Sequence, residues 1–263
     1  MVSIIICFYE RLEHLKRCLD SLHFSSCDFD EVIITDDGSS NDTVTKLQLL
    51  ISEYDFPIKH VWQPHKNFQV AAARNNGIRN SKGDYLIFFD CDFLILKDTI
   101  QQHLDRAKPG RFVAGHCKYL DKHQTNQLFS APFSAEELTT LYHSTPDNEL
   151  RKSHRRFIKR TILMRMRLVP FTKQSLGGHL SIHRKDIEAV NGYDENYVGW
   201  GGRRRSRHTS RRSRCLRMFG HSLCQSSSCV AQKRVRQPAL DKRFERRILQ
   251  KKRPPHVLHQ RTA

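Results

Sequence analysis

The ten residues from Gly83 to Asp92, GDYLIFFDCD, constrain this chain more than any other stretch. Tyr85, Leu86, Ile87, Phe88 and Phe89 form an apolar, aromatic-rich run bounded by polar residues. A strand buried on both faces of a parallel sheet has this pattern. The run ends in Asp90-Cys91-Asp92. Side chains alternate along a strand, so two aspartates flanking one residue are expected to project to the same side. Two carboxylates converging at a buried strand end repel each other and lose hydration unless a cation lies between them. Ligands of open α/β sheets bind at that end of the strands. The pattern therefore suggests a hard-metal site facing a phosphate-bearing ligand. A pair of helix-capping or turn aspartates is the bland alternative, and the choice between them rests on the flanking sequence.

Strand and helix signals alternate on both sides. Val2 to Phe8 reads as a buried strand, and Leu12 to about Phe24 as a helix with Leu12, Leu15, Leu19 and Leu22 on one stripe. Glu31 to Thr35 reads as a second strand, running into Asp36-Asp37-Gly38-Ser39-Ser40-Asn41-Asp42. Gly38 permits a tight turn there, and the Ser, Asn and Asp residues are good caps for a helix to about Glu53. Ile58 to Trp62 is a third strand, and Gln69 to Asn80 a helix whose alanine face can lie close to the sheet. After the Asp-x-Asp strand come a helix from about Asp98 to Ala107 and a strand from Arg111 to Gly115. This alternation predicts an α/β fold with a mostly parallel, doubly wound sheet. No GxGxxG or P-loop motif is present, which argues against dinucleotide and P-loop triphosphate chemistry.

The formal charge of +18 invites a nucleic-acid reading, but its distribution argues against one. Residues 203–263 carry nineteen Lys and Arg against Asp241 and Glu245, a net of +17, leaving +1 for the first 202 residues. A tail of that composition binds phosphate in a steeply salt-dependent way and lacks the aromatic interleaving of single-strand modules, so no specific nucleic-acid partner is expected. The eight cysteines are scattered without CxxC pairs, which suits a reducing compartment, and the weak set of Cys224 and Cys229 near His208 and His221 is discounted as a zinc site. No apolar run reaches membrane-spanning length, and MVSIIICFYE lacks the basic start and cleavage site of a signal peptide. A cytoplasmic location is expected, with contact at the inner face of the membrane as an option. Basic residues between Arg151 and Arg167 interleave with Ile158, Ile162 and Met166, which share a helical face. Such a helix over about 149–168 either lies on an anionic membrane or is solvated and packs on the sheet edge.

Four ordered segments, VSIIICFYER, VIITDDGSSNDT, AAARNNGIRNSKGDYLIFFDCD and LGGHLSIHRKDIEAVNGYDENYVGWGG, resemble the family 2 glycosyltransferases of the GT-A fold over most of residues 1–202. The resemblance implies a nucleotide-binding half over about 1–116 and an acceptor-side half over about 117–202. Tyr9, Glu10, Asp36 and Asp37 would contact the base and ribose of a nucleotide-sugar donor, with Arg74 and Asn75 nearby. Asp90 and Asp92 would hold Mn²⁺ or Mg²⁺ against the donor diphosphate, Asp92 as the more direct ligand. Gly177 and Gly178 would let the backbone approach a ligand closely, and Trp200 and Gly201 would meet an acceptor sugar. The last segment is similar to the acceptor-side motif of β-1,4-galactosyltransferases and chondroitin-type polymerases. The implied reaction is inverting, metal-dependent transfer from a UDP-linked donor to a glycan or lipid-linked acceptor hydroxyl. A nucleotidyltransferase, which also uses paired aspartates on an α/β sheet, is the competing enzyme class.

The pattern breaks after Gly202. Those families continue with Glu-Asp and a helix, one acid serving as general base. Here Arg203-Arg204-Arg205-Ser206-Arg207 follows, and a guanidinium stays protonated at any ordinary pH. Residues 203–263 are thus expected to be a poorly ordered basic tail that leaves the catalytic base absent. Codons permitted by residues 203–214 spell Asp-Glu-Asp-Leu-Gly-Ile-Arg-Leu when read one base later, the acidic motif in its expected place. A shifted reading frame would therefore explain the tail, and a natural basic tail is the alternative.

Overall fold

The computed structural model describes residues 1–115, 117–146, 148–170, 179–196 and 229–231. In chain order the elements are β1 (Val2–Phe8), α1 (Leu12–Leu22), β2 (Glu31–Asp36), α2 (Asn41–Ile51), β3 (Ile58–Trp62), α3 (Val70–Asn80), β4 (Tyr85–Asp90), β5 (Phe93–Ile95), α4 (Thr99–Asp105), β6 (Phe112–Gly115), β7 (Cys117–Tyr119), α5 (Lys122–Ser130), α6 (Ala135–Ser144), α7 (Asn148–Arg165), β8 (His179–His183), α8 (Arg184–Glu188) and β9 (Cys229–Ala231). The main sheet has the order β3-β2-β1-β4-β8-β6, and a smaller one the order β5-β9-β7.

Strands β3, β2, β1 and β4 are parallel, as their apolar runs require. β2 lies on one side of β1 and β4 on the other, so the winding reverses between β1 and β4. That reversal opens the crevice in which doubly wound sheets hold ligands. β8 is antiparallel to both neighbours and separates β6 from β4, whereas the sequence suggests a plain parallel continuation through residues 111–115. His179 fits this position because Gly115 opposite has no side chain: a Cβ there would stand 1.8 Å from the His179 ring. β9 falls within the expected tail and pairs with β5 and β7.

Alternation along the strands sorts the core into two faces. Ile4, Ile6 and Phe8 of β1 and Tyr85, Ile87 and Phe89 of β4 pack with Leu15, Leu19, Leu47 and Ile100, which belong to α1, α2 and α4. Ile5, Ile33, Leu86 and Phe88 pack on the other face with Ile78 of α3 and Ile187 of α8. A third cluster, Leu94, Leu120, Leu128, Leu138 and Tyr142, seats α5 and α6. Both of these helices begin with a reciprocal capping box, Asp121 with Gln124 and Ser134 with Glu137.

Close approach of α3 to the sheet depends on Gly77, where an added Cβ would meet Ile5 Cγ2 at 2.5 Å and Thr35 Cγ2 at 2.7 Å. In an exposed helix, Gly→Ala gains about 1 kcal/mol from helix propensity. Here overpacking opposes that gain, at about 1–3 kcal/mol. Gly77→Ala is therefore expected to destabilise the fold by about 1 kcal/mol net in urea titration; a stabilised variant would contradict the close packing of α3.

Candidate active site

Strand register brings the sequence-predicted residues together. Phe8 pairs with Asp36 and Cys7 with Asp90, so β1, β2 and β4 end level with one another. Tyr9, Glu10 and Arg11 leave the first end, Asp36 and Asp37 the second, and Asp90 and Asp92 the third. All three chain segments thus emerge at the winding reversal.

The second end is a built loop. Asp36 is fully buried: one carboxylate oxygen accepts from Gly38 N, Ser39 N and Ser39 Oγ at 3.1, 2.8 and 2.7 Å, and the other pairs with His60 Nε2 at 3.1 Å. With both oxygens engaged below the surface, Asp36 shapes the turn. Gly38 takes φ +89, and its missing Cβ leaves room for the His65 backbone. Asp37 accepts from Gln63 Nε2 and from Gln69 N, both at 2.8 Å, and so ties the loop to the start of α3.

At the first end, Glu10 has a left-handed backbone (φ 54) that aims its carboxylate at the N-terminus of α2. It accepts from Ser40 N at 2.6 Å and from Thr43 Oγ1, and the Thr43 bond leads the causes holding its pKa below the usual carboxylate value. Tyr9 is 39% exposed and stacks on His65 at 4.6 Å, which leaves an aromatic platform at the rim.

The third end departs from the alternation expected of a strand. β4 stops at Asp90; Cys91 N donates to Cys7 O at 3.0 Å and the chain turns through Asp92 into β5. Strand periodicity therefore does not extend to Asp92, and each carboxylate has its own arginine. Arg74 of α3 reaches Asp90 at 3.1 Å, and Arg11, the residue preceding α1, reaches Asp92 at 3.0 Å. α1 and α3 pack on opposite faces of the sheet, so the pairs clasp the tip of β4 from both sides. Arg11 also meets His14 Nε2 at 2.8 Å. Burial, then the Arg11 charge, lower the His14 pKa to about 4, so its neutral ring nitrogen can accept that bond. Arg11 closes the VSIIICFYER segment, but nothing in the sequence alone pairs it with Asp92.

Arg74 is more enclosed than its partner Asp90. Burial opposes its charge, yet Cys7, Tyr193 and Asp90 outweigh that and raise its pKa. Its guanidinium carbon lies 5.4 Å from the Tyr193 ring centroid. Arg74 Nε and the Tyr193 hydroxyl are buried beside one another, and hydrogen bonding of the Arg74 side chain to Tyr193 and Cys7 is among the influences on these groups. Beside it, Asn75 acts as a clamp. Its Nδ2 donates to Tyr193 O and Glu195 Oε1, and its Oδ1 accepts from Tyr193 N, at 2.9, 2.8 and 2.8 Å. Asn75 thus fixes the segment that leads toward Trp200. Gly177, Gly178, Trp200 and Gly201, and residues 203–228 and 232–263 of the tail, lie outside the described residues.

No cluster of three or more His, Cys, Asp or Glu suited to a metal occurs among the described residues. The donor set of Asp90 and Asp92 still fits a hard cation, because Mg²⁺ and Mn²⁺ take few protein carboxylates and complete their shell with water and phosphate oxygens. Asp90 keeps a third of its side chain exposed, at 33%, and Asp92 10%.

Comparison with known proteins places this site in a family. The Glycosyl transferase family 2 model matches residues 3–170, and the model for the N-terminal domain of galactosyltransferase matches residues 165–203. The chain belongs to glycosyl transferase family 2. Among individual proteins, it is 38% identical over 103 residues to the uncharacterized glycosyltransferase YfnE of Bacillus subtilis (strain 168), covering 39% of this chain and 26% of that protein. It is 27% identical over 215 residues to the chondroitin synthase of Pasteurella multocida (strain Pm70), covering 76% of this chain and 22% of that protein. The chain therefore spans about a quarter of the length of these relatives. Among solved structures it matches a mannosyltransferase of Pyrobaculum calidifontis in complex with GDP-Man and Mn²⁺, at 17% identity and TM-score 0.48, covering 74% of this chain and 48% of that one.

Asn75→Ala should release the Gly192–Glu195 segment. The expected cost is about 1–3 kcal/mol, with faster hydrogen exchange at the Tyr193 amide. Unchanged exchange there would show that other contacts hold the segment.

Proposed function

We propose that residues 1–202 of this chain form a metal-dependent, inverting glycosyltransferase domain that uses a UDP-linked sugar and a glycan or lipid-linked acceptor hydroxyl. The observation that carries the reading is the level ending of β1, β2 and β4 at the winding reversal, with Asp90 and Asp92 at the tip, in a family 2 chain. Residues 1 to about 116 supply the donor half and about 117–202 the acceptor half. Likeness to a chondroitin synthase supports a glycan as acceptor.

Each residue has a part. The exposed Tyr9 ring offers the base a stacking partner, and Glu10 and Asp37 have oxygens for ribose or base donors. Asp90 and Asp92 would hold Mn²⁺ or Mg²⁺, which, when bound, offsets the charge of the diphosphate leaving group. Arg74, paired with Asp90 at 3.1 Å, brings a positive charge to where diphosphate oxygens would lie, and Asn75 orients the segment that precedes Trp200 and Gly201. Gly177 and Gly178 would border the acceptor. In a single displacement the acceptor oxygen bonds to the anomeric carbon, the bond to the diphosphate oxygen breaks, and the hydroxyl proton passes to a base.

That base is what the chain lacks. The galactosyltransferase match ends at residue 203, where the arginine run begins. A frame shift at this point would remove the Glu-Asp motif and produce the +17 tail in one event. The gene's nucleotide sequence after codon 202 tests this: a single small insertion or deletion should open an acidic frame, and its absence would overturn the frame explanation. A chain with that frame restored is expected to transfer sugar at least about 100-fold faster than the chain as it stands, the usual contribution of a positioned general base. Equal rates would show that no base was lost.

A further inference from the structure

Helix α7 carries charge and apolar surface that the transferase site does not use. The stretch from Arg151 to Pro170 contains eight Lys and Arg and no acidic residue. Its periodicity points to one face bearing Ile158, Ile162 and Met166, and the structure shows that this face is not the packed one. Ile158 is 40% exposed, Ile162 52%, Met166 61% and Leu168 64%. The half-buried positions of the helix are Phe157, Thr161, Leu163 and Met164, on the other flank. At 100° per residue, exposed Arg151, Arg155, Lys159 and Arg165 all fall within about 100° of Ile158. The helix closes at Arg167, whose backbone is left-handed (φ 60). Leu168 N then donates to Leu163 O at 2.9 Å and Arg167 N to Met164 O at 3.1 Å, a turn that folds Leu168 back on the last turn.

We propose that this face of α7 docks on an anionic bilayer, its aliphatic side chains entering the headgroup boundary and the flanking cations meeting acidic lipid headgroups. The chemistry selects this occupant. An exposed aliphatic stripe loses free energy in water and recovers it at an acyl boundary, while Arg and Lys beside it favour anionic lipids. A nucleic acid would satisfy the cations but leave the aliphatic residues in water, and the exposed stripe has no aromatic ring for stacking bases. No helix among the described residues is long and apolar enough to cross a membrane, so the contact is interfacial. The proposal does not depend on the transferase reading; a lipid-linked acceptor would simply be presented on the same surface.

Co-sedimentation of the full chain with vesicles tests it. The chain should bind vesicles of phosphatidylcholine mixed with phosphatidylglycerol and should not bind phosphatidylcholine alone. The tail, being basic, also attracts anionic vesicles, so the deciding variant leaves charge untouched. Ile158→Asn combined with Ile162→Asn is expected to lower the partition coefficient at least tenfold with no change in melting temperature. Binding equal to that of the parent chain would mean attraction by charge alone and would overturn the proposal, as would equal binding to both kinds of vesicle or to neither. Should the asparagine variant unfold, Met166→Gln with Leu168→Asn, both exposed and both leaving charge unchanged, takes its place; a comparable loss of binding supports the proposal and retention overturns it.

Discussion

Everything at the candidate site depends on the backbone pairing of β1 with its two parallel neighbours. Because Cys7 lies opposite Asp90 and Phe8 opposite Asp36, three strands stop at one level and deliver their acidic termini to one crevice. A slip of one residue would exchange Ile4 and Ile6 with Ser3, Ile5 and Cys7 between the two buried faces and so mismatch the packing of both. The hydrophobic pattern that folds the sheet is therefore what collects the carboxylates. Concentrated negative charge at a strand tip is unfavourable unless compensated, and the protein supplies Arg74 and Arg11 from helices on opposite faces. Both pairs are partly open to solvent, which lowers the worth of each ion pair.

The acidic residues at these strand ends also brace the loops that carry them. Asp36 holds its own loop and Glu10 the start of α2, while Asp37 links that loop to α3. These bonds hold the crevice in shape before any ligand arrives, and preorganisation of this kind spares ordering cost on binding. Asn75 extends the same rigidity to the segment after α8 by clamping Tyr193 and Glu195.

Much of the first half of the molecule was legible in the sequence. Strands with long apolar runs and helices with leucine stripes, such as β1 and α1, announce themselves because burial on both faces or on one stripe imposes a period. β8 did not, since HLSIH has the polar residues of a short antiparallel strand, and its partners β4 and β6 lie far away in sequence. The helices α5 and α6 were missed although their capping boxes, Asp121 with Gln124 and Ser134 with Glu137, were in plain view. At the site, strand alternation placed Asp90 and Asp92 on one side, but the strand ends at Asp90 and the rule lapses with it. Arg11 stayed hidden because an ion pair 81 residues apart leaves no local signal. For α7 the period grouped Ile158, Ile162 and Met166 on one face, but periodicity alone does not say whether that face is covered; neighbours on the Phe157 flank decide it.

Isothermal titration of the chain with a UDP-sugar, in Mn²⁺ and then in chelator, tests the central claim most directly, because the donor residues lie in the described part of the fold. Binding is expected only with the divalent ion and should weaken at least tenfold in Asp92→Asn, about 1.4 kcal/mol. Equal affinity in chelator, or in the Asp92 variant, would show that these strand ends do not hold a metal against the donor's diphosphate.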